Sequence, residues 1–170
     1  PIALSPKVGL AVAAGDNQPL IVVVEPSSKN RAVLESKVAK LAWNEEFKGY
    51  YTYASASATM QIPNVKGVRA SSGVFVIEPD FFGAGGTLVT VLKPRELDSK
   101  LEDALRAALK KHVRISKTRN NLARLGLEKG IYYETGIPVS GQGEARDRER
   151  YKQELERRKK STGTTDGKGN

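Results

Sequence analysis

The stretch Pro19-Leu20-Ile21-Val22-Val23-Val24 decides the fold class. A half-buried strand alternates apolar and polar side chains, whereas this run is apolar at both parities and rich in β-branched residues. It reads as a strand covered on both faces, the centre of a sheet held between other layers. Working outward, residues 5–14 (SPKVGLAVAA) read as a short helix, with Ser5 as N-cap, Pro6 at the first helical position and Gly15-Asp16-Asn17 ending it. On the other side, residues 25–30 (EPSSKN) read as a turn-rich connection. They lead into a helix from about residue 31 to 47, whose Leu34, Val38, Leu41 and Ala42 fall on one face.

Residues 50–54, with tyrosines in alternation, are expected to form a strand, and residues 59–72 an irregular segment in which Met60, Ile62 and Val65 pack. Residues 73–77 read as another strand. It is closed by Glu78-Pro79-Asp80 and the turn Gly83-Ala84-Gly85-Gly86, and residues 87–92 return as the second arm of an antiparallel hairpin. Residues 96–112 carry Leu97, Leu101, Leu105 and Leu109 along one apolar stripe, an amphipathic helix. A helix between two strands implies a right-handed parallel crossover, to which the hairpin adds antiparallel strands. The expected fold of residues 1–112 is a three-layer α/β/α sandwich with a mixed central sheet.

Residues 113–170 differ in kind. The chain carries 28 Lys+Arg against 19 Asp+Glu. Residues 1–112 hold 14 against 11 of these, and residues 113–170 hold 14 against 8, so the positive excess sits mainly in the last third. This part reads as a basic, partly helical C-terminal extension. A helix over residues 115–129 offers Leu122, Leu125 and Leu127 for packing and ends at Gly130. Tyr132, Tyr133, Ile137, Pro138 and Val139 read as an extended anchoring segment. Residues 144–160 (EARDRERYKQELERRKK) have helical propensity, with Glu154–Arg158 and Glu156–Lys160 one turn apart and only Tyr151 and Leu155 as sizeable apolar positions. Residues 161–170 have the polar, glycine-rich composition of a disordered end.

The chain contains no cysteine, which excludes disulfides, zinc–thiolate sites and thiol catalysis by its own residues. No run reaches the roughly 18–20 apolar residues that a spanning helix needs. Initiator methionine is trimmed before a proline such as Pro1, and signal peptidase disfavours proline after its cut. The expectation is a cytoplasmic location, or a periplasmic or secreted one if a leader has been removed.

Three phrases resemble the thioredoxin-like superfamily. Gln18-Pro19-Leu20-Ile21-Val22-Val23 is similar to the start of its first central strand, and Trp43-Asn44-Glu45-Glu46-Phe47 to the end of the helix after its active site. Gly73-Val74-Phe75-Val76-Ile77-Glu78-Pro79-Asp80 is similar to its hairpin strand. The resemblance covers residues 5–112 and says nothing of residues 113–170. It implies a Cys-x-x-Cys pair between the first central strand and the next helix, where the helix N-terminus favours a thiolate. Here the matching positions are Ser28 and Arg31, with Lys29 and Asn30 between them. It also implies a cis-proline just before the hairpin strand, and Ser72 stands there instead. The expectation is a redox-inactive member with vestigial active-site positions and no cofactor.

Other chemistry fares little better. A nucleophilic Ser28 needs a base, and His112 is the chain's only histidine. The simpler reading makes Ser27 or Ser28 an N-cap, worth about 1 kcal/mol, and His112 a surface residue that stabilises a helix C-terminus. The neighbours Glu45-Glu46 and Glu102-Asp103 point apart on helices and read as solvated faces. No spacing matches an EF-hand, a zinc site or a P-loop. The glycines at 83, 85 and 86 precede a strand, not a helix, and so suit a turn better than a phosphate. Lys29, Asn30 and Arg31 at a helix start read either as an anion site or as a solvated charged loop.

The leading functional expectation is a non-catalytic binding or structural subunit of a larger protein complex, attached through the extension. Tyr132, Tyr133, Ile137 and Val139 are its anchors. Arg146, Arg148, Arg150, Tyr151, Leu155, Arg157 and Arg158 form an electrostatic or helical contact. The alternative is an RNA- or DNA-associated protein using the same extension, with tyrosines stacking on bases, although acidic residues interleave with the basic ones. An acidic protein surface or anionic lipid headgroups also suit the charge. A non-thiol enzyme ranks last.

Overall fold

The structure, a computed structural model, describes residues 4–115 together with Leu125, Gly126, Glu149, Lys152, Gln153, Glu156 and Arg157. The chain divides into two compact units, Pro1–Ile115 and Ser116–Asn170. The fold that follows is that of the first.

Helix α1 spans Pro6–Asp16, with Pro6 in the first turn, where a missing N–H costs nothing. It runs past Gly15 and stops only where Asn17 takes a left-handed conformation, φ 59°, with its N–H returning to Ala14 O. Strand β1 (Leu20–Val24) is buried at every position, as its uninterrupted apolar run predicts. Helix α2 spans Ser28–Ala42, earlier at both ends than the expected 31–47. Its start is fixed by Ser27, whose hydroxyl accepts from the Asn30 N–H at 3.4 Å. After Ala42 the chain turns through Asn44 and Gly49, yet Phe47 is fully buried: its apolar side chain reaches the core from a turn.

Strand β2 is Thr52–Ala56, two residues later than the tyrosine alternation suggests, because Gly49 and Tyr50 still belong to the turn. Residues 59–72, expected to be irregular, contain a 3-10 turn (Thr59–Gln61) and a two-residue strand β3 (Val65–Lys66), too short to show a period. Strands β4 (Gly73–Pro79) and β5 (Gly86–Leu92) form the expected antiparallel hairpin. Helix α3 (Leu97–Lys111) buries Leu97, Leu101, Leu105 and Ala108, while Leu109 is partly buried beside them.

The five-stranded sheet has the order β2-β1-β4-β5-β3. β1 is parallel to β2 across the α2 crossover and antiparallel to β4, and β3 is parallel to β5. Two apolar clusters lie on its two faces. Ile21, Val23, Val74 and Val76 meet residues of α2 and α3, while Leu20, Val22, Val24, Phe75 and Ile77 meet Leu10 and Ala13 of α1. This first unit is therefore a mixed α/β sandwich, and the two parities of β1 explain why its sequence lacks polar alternation. Lys37 of α2 and Asp98 of α3, 2.7 Å apart, join the two helices on one face. A bulge between Val76 and Ile77 in the β4–β5 register leaves Val89 as the extra residue of β5. Gly73 opens β4 at φ 136°, where a Cβ would collide with the Leu92 carbonyl oxygen.

Candidate functional site: the β1–α2 corner

The corner is made by the last residue of β1, the turn through Glu25, Pro26 and Ser27, and the first turn of α2. Ser28, Lys29 and Asn30 are exposed on it. Arg31 is not: its Nη1 donates to the Glu25 carbonyl oxygen at 2.8 Å, and its Nε lies 3.8 Å from the Glu35 carboxylate. The Ser27 N–H donates to the Glu25 carboxylate at 3.3 Å, and its carbonyl accepts from the Arg31 N–H. Ser27, not Ser28, is thus the cap. Gly73 pairs with Val24, so Ser72 sits at the start of β4 beside the end of β1. The fold brings Ser72 next to the corner holding Ser28, Lys29, Asn30 and Arg31, and the guanidinium there is used to close the turn.

His112 lies at the opposite end of the sheet. Its Nδ1 is 2.9 Å from both Glu78 carboxylate oxygens, and its Nε2 is 2.8 Å from the Asn17 carbonyl oxygen. Asn17 precedes β1 and Ser28 follows it, so the length of a five-residue strand, about 16 Å at roughly 3.3 Å per residue, separates them. A Ser28–His112 nucleophile–base pair is not built. Nor is His112 a surface residue: its side chain is only 8% exposed. Two acceptors face its two ring nitrogens, and a neutral imidazole donates through only one of them.

Glu45 and Glu46 lie in the turn after α2, not on a helix. Glu46 meets Arg106 of α3 through two bonds, at 2.7 and 3.0 Å, and the same guanidinium reaches Glu102 at 2.8 Å and Asp103 at 3.0 Å. The hydrogen bond from Arg106 holds the Glu46 carboxyl below its usual range. The glycine-rich turn is organised by Asp80, whose Oδ1 accepts from Phe82 N–H and Ala84 N–H, a hairpin turn and not an anion cradle.

Behind the corner, a cavity of about 280 Å³ opens between α2 and the β1–β2 pair, walled by Ile21, Val23, Val38, Glu35, Ser36 and Tyr53. Burial pushes the Tyr53 phenol up to about 12, so it is neutral at physiological pH, and its hydroxyl is buried without a hydrogen-bond partner among the described residues. Sequence reasoning missed this feature. Its signal was the small residues Ala32, Ser36 and Ala39, about one turn apart along α2, which leave space beside the helix.

No group of three metal-ligating side chains occurs among the described residues, and no described helix is long and apolar enough to cross a membrane. Of the residues expected to contact partners, Arg157 is helical and exposed. Tyr132, Tyr133, Ile137, Val139, Arg146, Arg148, Arg150, Tyr151, Leu155 and Arg158 lie outside the described residues. Compared with known proteins, the chain matches no family model, no curated protein and no solved structure at significant similarity.

Proposed function

We propose that this chain is a non-catalytic, thioredoxin-like binding module, a subunit of a larger assembly attached through its basic residues 113–170. One observation carries the reading. The β1–α2 corner, where the resemblance places a Cys-x-x-Cys pair, holds Ser28 and Arg31, and Arg31 braces the turn through Glu25 and Glu35. A parallel crossover followed by a hairpin and a closing helix is the element order on which the resemblance rests. A positive excess concentrated beyond residue 112 suits an acidic contact on a protein neighbour.

The test is co-purification of the full-length chain from its native source at low and moderate salt, with nuclease treatment, beside a variant carrying Arg146, Arg148, Arg150, Arg157 and Arg158→Gln. A protein partner in fixed stoichiometry that survives nuclease, and that the variant releases at lower salt, is the expected result. A chain that runs alone under both conditions contradicts the proposal. Nuclease-sensitive association replaces it with the nucleic-acid reading.

A further inference from the structure

We propose that the outer edge of β5 is a docking site for an extended, acid-flanked segment of a protein partner, which adds to the sheet as a further strand. β5 is paired with β4 along its length, but on its other side β3 pairs with it only at Gly86 and Thr87. Gly67, at φ 92°, then turns the chain away, and Val68 and Ala70 pack against the cluster on the α1 face. Among the described residues, no strand pairs with that side from Leu88 to Leu92. Edge strands are ordinarily blunted by lysine or proline, because free N–H and C=O groups template the addition of another strand. Residues 88–92 are Leu-Val-Thr-Val-Leu, with neither charge nor proline. The bulge at Val89 confines regular pairing to the part of the edge that follows it.

Charge selects the occupant. Lys66 stands beside Thr87 at one end of the open edge, and Lys93 and Arg95 follow Leu92 at the other; all three are exposed. Of the acidic groups nearby, Glu78 is engaged with His112 and Asp80 with the hairpin turn, while Glu96 accepts from the Lys93 N–H and from Lys100 and so offsets only part of the positive charge of Lys93, Arg95 and Lys100 at that end. An uncharged centre between cationic ends fits a strand whose own ends are acidic. It disfavours a second copy of this chain, since antiparallel pairing of two such edges would set Lys66 of each against Lys93 and Arg95 of the other. The inference rests on the binding-module reading but needs nothing from residues 113–170.

The test uses the full-length chain and two synthetic peptides with a valine–threonine alternating centre, one ended by glutamates and the other by lysines. Binding is followed by titration and by amide hydrogen exchange. The glutamate-ended peptide is expected to bind and to slow exchange within residues 88–92. Lys66→Glu with Arg95→Glu, both at exposed positions, is expected to weaken it about tenfold and to favour the lysine-ended peptide. Equal affinity for the two peptides, protection elsewhere, or concentration-dependent protection without peptide overturns the proposal. The Arg→Gln variant of residues 146–158 separates the two readings. Undiminished peptide binding by it supports the edge, whereas a partner held through residues 113–170 with no peptide binding removes the edge and leaves the module.

Discussion

His112 joins three elements with one ring, since its nitrogens reach Glu78 at the end of β4 and Asn17 after α1 while its backbone ends α3. Asn17 in turn exchanges two hydrogen bonds with Ile115, so the ring secures the chain where it leaves the domain. His112→Leu removes both ring contacts and is expected to cost about 1–3 kcal/mol in urea denaturation and to speed exchange of the Ile115 amide. Unchanged stability would show the clasp to be incidental. Tyr51 and Tyr53 give a second test. Burial raises both phenols, Tyr53 to about 12, so the fold favours their neutral forms over an unfolded phenol near 10. The Tyr53 contribution is complete below about pH 10 and declines as pH rises through about 12. Alkaline denaturation of Tyr53→Phe should therefore be shallower than that of the parent, and coincident curves would contradict the assignment. Glu46 acts in the opposite direction. Its lowered carboxyl contributes above the usual carboxylate range and is lost as pH falls through its folded value, so Glu46→Gln should flatten the acid limb. None of these partnerships was legible in the sequence, because each joins residues more than thirty positions apart.

At the level of elements, those marked by an unbroken apolar run or a helical apolar stripe were legible and those defined by turns were not. β1 announced itself by five consecutive apolar residues and α3 by leucines one turn apart. α2 was misplaced at both ends because its limits are set by a Ser27 cap and a turn at Asn44, local geometry that the apolar spacing of Leu34, Val38 and Ala42 does not encode. β3 left no signal in two residues. That residues 28–31 stand at the start of a helix follows from the turn-rich residues before them, but the way Arg31 folds back on Glu25 does not. Gly73 tests the hairpin directly. A side chain there meets the Leu92 carbonyl and a φ of 136°, so Gly73→Ala is expected to destabilise by more than about 2 kcal/mol, read as a lowered denaturation midpoint. A neutral result would place the start of β4 elsewhere.

Across the whole molecule, two apolar clusters on opposite faces of one sheet hold the domain, and neither is complete without β1. Leu105, 1% exposed between α3 and the sheet, also supplies the carbonyl that accepts the Tyr51 hydroxyl. Leu105→Ala should cost about 2–5 kcal/mol by equilibrium unfolding. On the proposed function this frame is the scaffold of a thiol site without its sulfur, and the sulfur can be put back. The most direct measurement is made on the Ser28→Cys variant with Arg31→Cys: formation of an intramolecular disulfide, and the alkylation rate of the reduced thiol at position 28 near neutral pH. A disulfide that closes between the two positions, with an alkylation rate above that of an ordinary thiol, is the predicted result. Two sulfurs that never pair, or an unaccelerated thiol at position 28, would contradict the thioredoxin-like reading of the corner.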